Sequence, residues 1–220
     1  MQTDPRVIQV TGRGVLRLTP DTTRLTITLR GTCPEYEQAI AASARDTQGL
    51  KELIAGLGFA RDSLRTLSFD VTTEYESIRD PNGDYRQQLV GYQFTHATRL
   101  EFPRDNGLLS RLLYALGHGE AAPELVISYT VRDREGAKNR LLGQAVADAR
   151  AKAEVLARAA GVPLSELLRI DYTRGEPDLE MRPMARPLRA KASAAPGYHI
   201  DIQPDDIEVS DTVTVVWAMG

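Results

Sequence analysis

Between Arg24 and Arg132 two periodicities alternate in the order strand, helix, strand, strand, helix, strand, and that order constrains the fold more than any single residue does. Leu25, Ile27 and Leu29 alternate with Thr26, Thr28 and Arg30, as a strand with one buried face requires. Thr32-Cys33-Pro34-Glu35 reads as a helix start, with a Thr cap, Glu three residues later and Pro in the first turn. Tyr36, Ile40, Thr47, Leu50, Leu53, Ile54 and Leu57 then form a helical stripe closed by Gly58. Leu67, Phe69, Val71, Thr73 and Tyr75 alternate again, and Asp80-Pro81-Asn82-Gly83-Asp84 reverses the chain. The returning strand puts Val90, Tyr92, Phe94, His96, Thr98, Leu100 and Phe102 on one face. Asp105 caps a short helix carrying Leu108, Leu109, Leu112, Leu113 and Leu116 and ended by Gly117, and Leu125, Ile127, Tyr129 and Val131 make the next strand. The reading is an α+β fold whose inner part, residues 24–133, is a ferredoxin-like βαββαβ unit with an antiparallel sheet and both helices on one face.

The flanking segments supply a second small α+β unit, residues 6–22 plus 134–220, interlocked with the first. Ile8, Val10, Gly12, Gly14, Leu16 and Leu18 all fall on even positions of one strand, and the two glycines leave room for a close neighbour or a bend. A long helix from about Glu135 to Ala160 carries an apolar seam at Leu142, Val146, Ala149, Ala153, Leu156 and Ala160. Asp148 with Lys152, and Glu154 with Arg158, read as acid–base pairs on its wet side. Gly161-Val162-Pro163 ends the helix, a strand follows around Leu167–Tyr172, and Ile207, Val209, Val213, Val215 and Trp217 share one face of the last strand. Residues 176–206 hold five prolines and no sustained period, which predicts an irregular, mobile loop with a functional contact.

Composition removes several function classes. A net charge of −3 supplies no broad basic field for phosphates, which argues against nucleic-acid binding. One cysteine, Cys33, allows neither an intrachain disulfide nor a cysteine-based zinc site. No segment has the length and apolarity of a membrane span, and the polar start Met1–Arg6 shows no signal-peptide pattern. A cytosolic protein is therefore expected, with a signal-stripped periplasmic form as the alternative.

Taken together, the pieces resemble the SIMPL-domain family, a bacterial domain of unknown function. The match is carried by Ile8-x-Val10-x-Gly12-x-Gly14, the Pro20-Asp21 turn, Gly91-Tyr92, the helix Ala145–Ala153 with Leu156-Ala157 and Gly161, and Ile202-x-Pro204 before the final strand. The resemblance covers nearly the whole chain. It implies two interlocked α+β units, and family members that are commonly exported, some of them linked to stress tolerance, oligomeric assemblies or signalling-kinase association. It implies no catalytic site and no cofactor.

No catalytic constellation emerges from the residues themselves. Gly12-x-Gly14 lacks the third glycine of a dinucleotide fingerprint and leads into a strand, so strand packing is the better reading. His96, His118 and His199 lie in unrelated contexts without metal-ligand spacing. Cys33 near a helix start can have an activated thiol, although a lone cysteine without a histidine partner is more often structural. His96 and Asp211 both interrupt apolar strand faces, and with Tyr92 they form the candidate set for a small-ligand or enzymatic site between the two units. Arg182, Arg186, Arg189 and Lys191 form a basic stretch expected to touch a protein partner. The leading expectation is a non-enzymatic interaction protein that forms homo-oligomers, and the alternative is a ligand binder or enzyme using His96, Asp211 and Tyr92.

Overall fold

The computed structural model describes residues 6–79, 85–119, 121–172, 177–181, 188–189 and 201–220. In chain order its elements are β1 (Val7–Leu18), β2 (Thr22–Cys33), α1 (Tyr36–Gly56), β3 (Arg65–Arg79), β4 (Tyr85–Pro103), α2 (Asn106–His118), β5 (Glu124–Thr130), α3 (Arg134–Ala159), β6 (Leu164–Asp171), β7 (Glu180–Met181), β8 (Leu188–Arg189) and β9 (Ile207–Met219). The class is α+β, with two antiparallel sheets. The chain divides into two compact units: Asp21–Tyr129 with Arg182–Pro204, and Met1–Pro20 with Thr130–Met181 and Asp205–Gly220. The predicted 80–84 turn, His199, and Arg182, Arg186 and Lys191 of the basic stretch lie outside the described residues. The described parts of 176–206 include β7 and β8, so that stretch is not wholly irregular as expected.

In the larger unit the strands lie in the order β3-β4-β2-β5, with β8 pairing Leu188 with Leu125 and Arg189 with Glu124. Leu25, Ile27 and Leu29 of β2 and Phe94, Leu100 and Phe102 of β4 pack against Ala39, Leu50 and Ile54 of α1 and Leu109, Leu112 and Leu116 of α2. Both helices therefore share one face of the sheet. Each fully buried Leu or Phe contributes about 1.5–3 kcal/mol of transfer free energy, so this face dominates the unit's stability. Asp205–Gly220 falls in the other unit, but Asp201 and Ile202 dock here: Asn106 donates to the Asp201 carboxylate at 2.9 Å and to the Ile202 carbonyl at 3.2 Å.

Three local expectations for this unit need correction. Thr32 and Cys33 continue the β2 ladder opposite Gln93 and Tyr92, so Thr32 cannot cap a helix; α1 starts at Tyr36 behind an extended Glu35 whose side chain makes no cap bond. The buried line of α1 runs through Ala39, Ser43, Leu50 and Ile54, which leaves the predicted stripe residues Tyr36 and Ile40 exposed. The ladder between β3 and β4 slips at Glu74/Tyr75, and Val90, the residue of β4 that the slip leaves without a partner in the ladder, is exposed rather than buried. Gly91 sits at that slip because a Cβ there would collide with the Cys33 carbonyl. The Asp105 cap is present, its carboxylate accepting from Leu108 N at 3.0 Å, and α2 continues through Gly117 to His118.

The other unit holds the three-stranded sheet β1-β9-β6. β1 and β9 pair without interruption from Val7↔Ala218 to Leu18↔Ile207, and the even positions of β1 face inward as expected. A Cβ on Gly12 would strike the Ala145 carbonyl and the Ala149 amide of α3, and one on Gly14 would strike the Leu141 carbonyl. The glycines thus let the helix backbone rest directly on the strand. That contact also sets the helix rotation. The buried row is Ala137, Leu141, Ala145, Ala149, Ala153 and Ala157, one position from much of the predicted seam. Alanines fill most of the narrow gap, while Leu142 and Val146 lie on the flanks and Leu156 is exposed. Asp133 caps α3 through Gly136 N at 2.8 Å, and Gly161, at φ +69°, follows its end. Among the described residues no helix is long and apolar enough to cross a membrane.

Candidate functional site

The two outer strands of the three-stranded sheet are finished differently. Met219 N donates to the Arg6 carbonyl at 2.9 Å, so even residues of β1 bond to β9 and odd residues turn their backbone groups outward. Two of these outward groups are taken by α3: Arg13 N–H donates to Asp148 Oδ2 at 2.7 Å, and Lys152 Nζ donates to the Thr11 carbonyl at 3.3 Å. Lys152 also pairs with Asp148 at 2.7 Å. The hydrogen bond from Lys152, joined by the Arg13 amide and the lysine charge, holds the Asp148 carboxyl below its ordinary pKa. The predicted wet-side pair is therefore a plug in the β1 edge. Glu154 pairs with Arg150 at 3.0 Å, the partner four residues before it, where Arg158 was expected.

At the opposite edge, β6 pairs only inward among the described residues, with Leu167 opposite Trp217, Ile170 opposite Val215 and Asp171 opposite Thr214. Register shifts around Leu167 and Arg169 leave Leu168 out of the ladder. Leu167, Leu168 and Ile170 are 51%, 46% and 47% exposed. Arg169 and Asp171, two apart and so on one face, form an ion pair at 2.8 Å. Ile170 shares the α3 side of the sheet with its partner Val215, which is fully buried. The strand thus offers apolar groups on one face and a paired acid and base on the other.

The larger sheet also ends in an exposed strand. Leu67, Phe69, Tyr75 and Ile78 of β3 are exposed, interspersed with Asp70, Glu74 and Glu76. Glu74 accepts from Thr32 Oγ1 at 2.9 Å and from Gln93 Nε2 at 3.2 Å, which orders this polar face.

The ligand candidates lie in separate elements. His96 lies in β4, sharing hydrogen bonds with Thr47 Oγ1 at 2.9 Å and Thr66 Oγ1 at 3.0 Å, its ring edge-on to Phe69. Burial, joined by the positive charge of Lys51, lowers its pKa below 6.5. Asp211 lies in β9, in the other sheet, and accepts from Tyr172 OH at 2.9 Å. Tyr92 packs edge-on against Tyr36. Cys33 ends β2 rather than opening a helix, and His118 bonds the Tyr114 carbonyl one turn earlier. Arg189, the described member of the basic stretch, has its backbone in β8. A cleft of about 450 Å³ opens between Leu29, Leu50, Leu53 and Leu116, rimmed by Arg45 and Glu52, and none of the three candidates lines it. Sequence reasoning missed the plug and the charge pattern of β6 because both depend on which strands are edges. The Asp148/Lys152 spacing was the available signal for the plug.

The chain matches the pattern of the SIMPL family, described as a protein of unknown function (DUF541), over residues 8–217. It is similar to the 26 kDa periplasmic immunogenic protein of Brucella abortus (strain S19), with 25% identity over 99% of this chain and 86% of the relative. The protein of the same name from Brucella melitensis biotype 1 is 24% identical over the same shares.

Proposed function

The chain belongs to the SIMPL family, and we propose that it acts as an interaction and assembly protein, associating with copies of itself and docking a protein partner rather than catalysing a reaction. The carrying observation is that the outermost strands β3 and β6 both hold large apolar side chains in solvent, where an unpaired edge favours strand addition. The periplasmic setting belongs to this proposal, supported by the names of the two Brucella relatives; the sequence expectation of a cytosolic protein gains no such support. A role under stress rests on the family resemblance alone. The basic stretch Arg182, Arg186, Arg189 and Lys191 is proposed as the partner contact. Light scattering across a concentration series tests the reading: it predicts a mass that rises above 24.3 kDa to a defined multiple. A constant monomer mass would remove the self-association part.

A second reading is a small-ligand binder. The cleft at Leu29, Leu53 and Leu116 supports it, because an apolar floor with a charged rim suits an amphipathic molecule. Native mass spectrometry of freshly purified protein tests it: a retained small molecule lost on Leu53→Trp substitution supports the cleft, and bare protein in gentle conditions argues against it.

A further inference from the structure

We infer that β6 is the surface by which one copy joins a second, through antiparallel pairing of the strand with itself about a two-fold axis at Ile170. The inference rests on the assembly reading and names its partner. A strand pairing with its own copy must be self-complementary, since the residue before the axis meets the residue after it. Centred on Ile170, the pairing sets Arg169 opposite Asp171 of the second copy, and Asp171 opposite its Arg169. Both cross-strand contacts are between opposite charges on the same face, where such pairs stabilise. The other face brings Ile170 against Ile170, covering an apolar group that β6 leaves exposed. Two three-stranded sheets would thereby become one continuous sheet.

The other exposed edges lack this property. A full-length self-pairing of β3, centred on Thr72, opposes Asp70 to Glu74 and Arg65 to Arg79, like charges in each case. The β1 edge has its Thr11 carbonyl and Arg13 amide already occupied by α3. Charge complementarity thus selects β6 and selects a second copy of this chain as its occupant.

The test uses two single variants of the full chain, Arg169→Asp and Asp171→Arg. Each alone brings like charges together twice in the self-pair, so self-association weakens roughly tenfold or more and the light-scattering mass falls by half or more. Mixed one to one, Arg169→Asp faces Asp171→Arg across both contacts with charges restored, and the mass recovers. A merely structural role for the Arg169–Asp171 ion pair cannot produce recovery on mixing, and circular dichroism confirms that each variant is folded. An assembled wild-type protein whose mass neither variant changes overturns the β6 inference and leaves the assembly reading standing. Loss in each variant without recovery on mixing overturns pairing with a second copy and assigns β6 to a different strand. A wild-type monomer throughout the concentration range overturns both.

Discussion

The two edges of the three-stranded sheet solve the same problem in opposite ways. β1 presents outward backbone groups at Thr11 and Arg13, and α3 meets them with Lys152 and Asp148. Among the described residues β6 pairs only with β9, and Leu167, Leu168 and Ile170 around its edge lie in solvent. The difference follows from where α3 rests. Gly12 and Gly14 draw its backbone onto β1, close enough for the Asp148 and Lys152 side chains to reach its outward backbone groups. An unpaired edge is an aggregation hazard that proteins commonly blunt. One edge closed and the other unpaired among the described residues therefore reads as a directed surface.

The strongest way to break this contrast is to push α3 away. Gly12→Ala places a methyl group against backbone atoms that cannot rotate aside, so overpacking should cost about 1–3 kcal/mol or more. Urea denaturation should show the loss, and an unchanged midpoint would mean that the close approach is not what holds α3 to β1. Next in size, Ile170→Lys sets two like charges on the proposed axis. It should abolish the rise of solution mass with concentration while leaving the thermal melt of the fold near wild type, because Ile170 is 47% exposed. A large drop in melting temperature would place Ile170 in the core instead.

Removing the plug should convert one edge towards the other. The double change Asp148→Ala with Lys152→Ala frees the Thr11 carbonyl and the Arg13 amide, and should add concentration-dependent association absent from wild type. Light scattering in the Ile170→Lys background isolates this effect. The pH dependence carries a sign. Asp148 titrates below its ordinary value when folded, so its contribution is complete above the unfolded carboxylate range and is lost as pH falls through the folded pKa. Asp148→Asn should flatten that acid-side loss in pH-dependent urea melts, whereas an unchanged acid limb would contradict the plug.

The smallest effect belongs to His96. Burial favours its neutral ring, so its stability contribution is present above the ordinary imidazole pKa and declines as pH falls through the lower folded value. Proton NMR should place its midpoint below 6.5, and His96→Ala should cost about 0.5–1.5 kcal/mol for each hydrogen bond lost to Thr47 and Thr66. A midpoint at or above the ordinary value would contradict a ring held neutral by burial.

Much of the architecture was legible in the residues, and the misses share a cause. Period-two alternation located the inward face of β1, and the glycines on it announced a close neighbour, because both signals are local to one strand. The Asp105 cap was readable for the same reason. The α3 seam was misplaced because Val146 and Leu156 look more apolar than Ala145 and Ala157, yet the Gly12–Gly14 surface takes the alanines. Tyr36 and Ile40 misled in the same way, since size does not say which side of α1 meets the sheet. The open edge was beyond reach from sequence, because Arg169-Ile170-Asp171 becomes self-complementary only once β6 is known to be outermost.

Backbone hydrogen exchange at Arg13 and at the β6 amides facing away from β9, followed at low and high protein concentration, tests the contrast most directly. The predicted result is a slow Arg13 amide at both concentrations, with outward β6 amides fast when dilute and slow when concentrated. A fast Arg13 amide, or β6 amides indifferent to concentration while the solution mass rises, would contradict a closed β1 edge and a self-pairing β6.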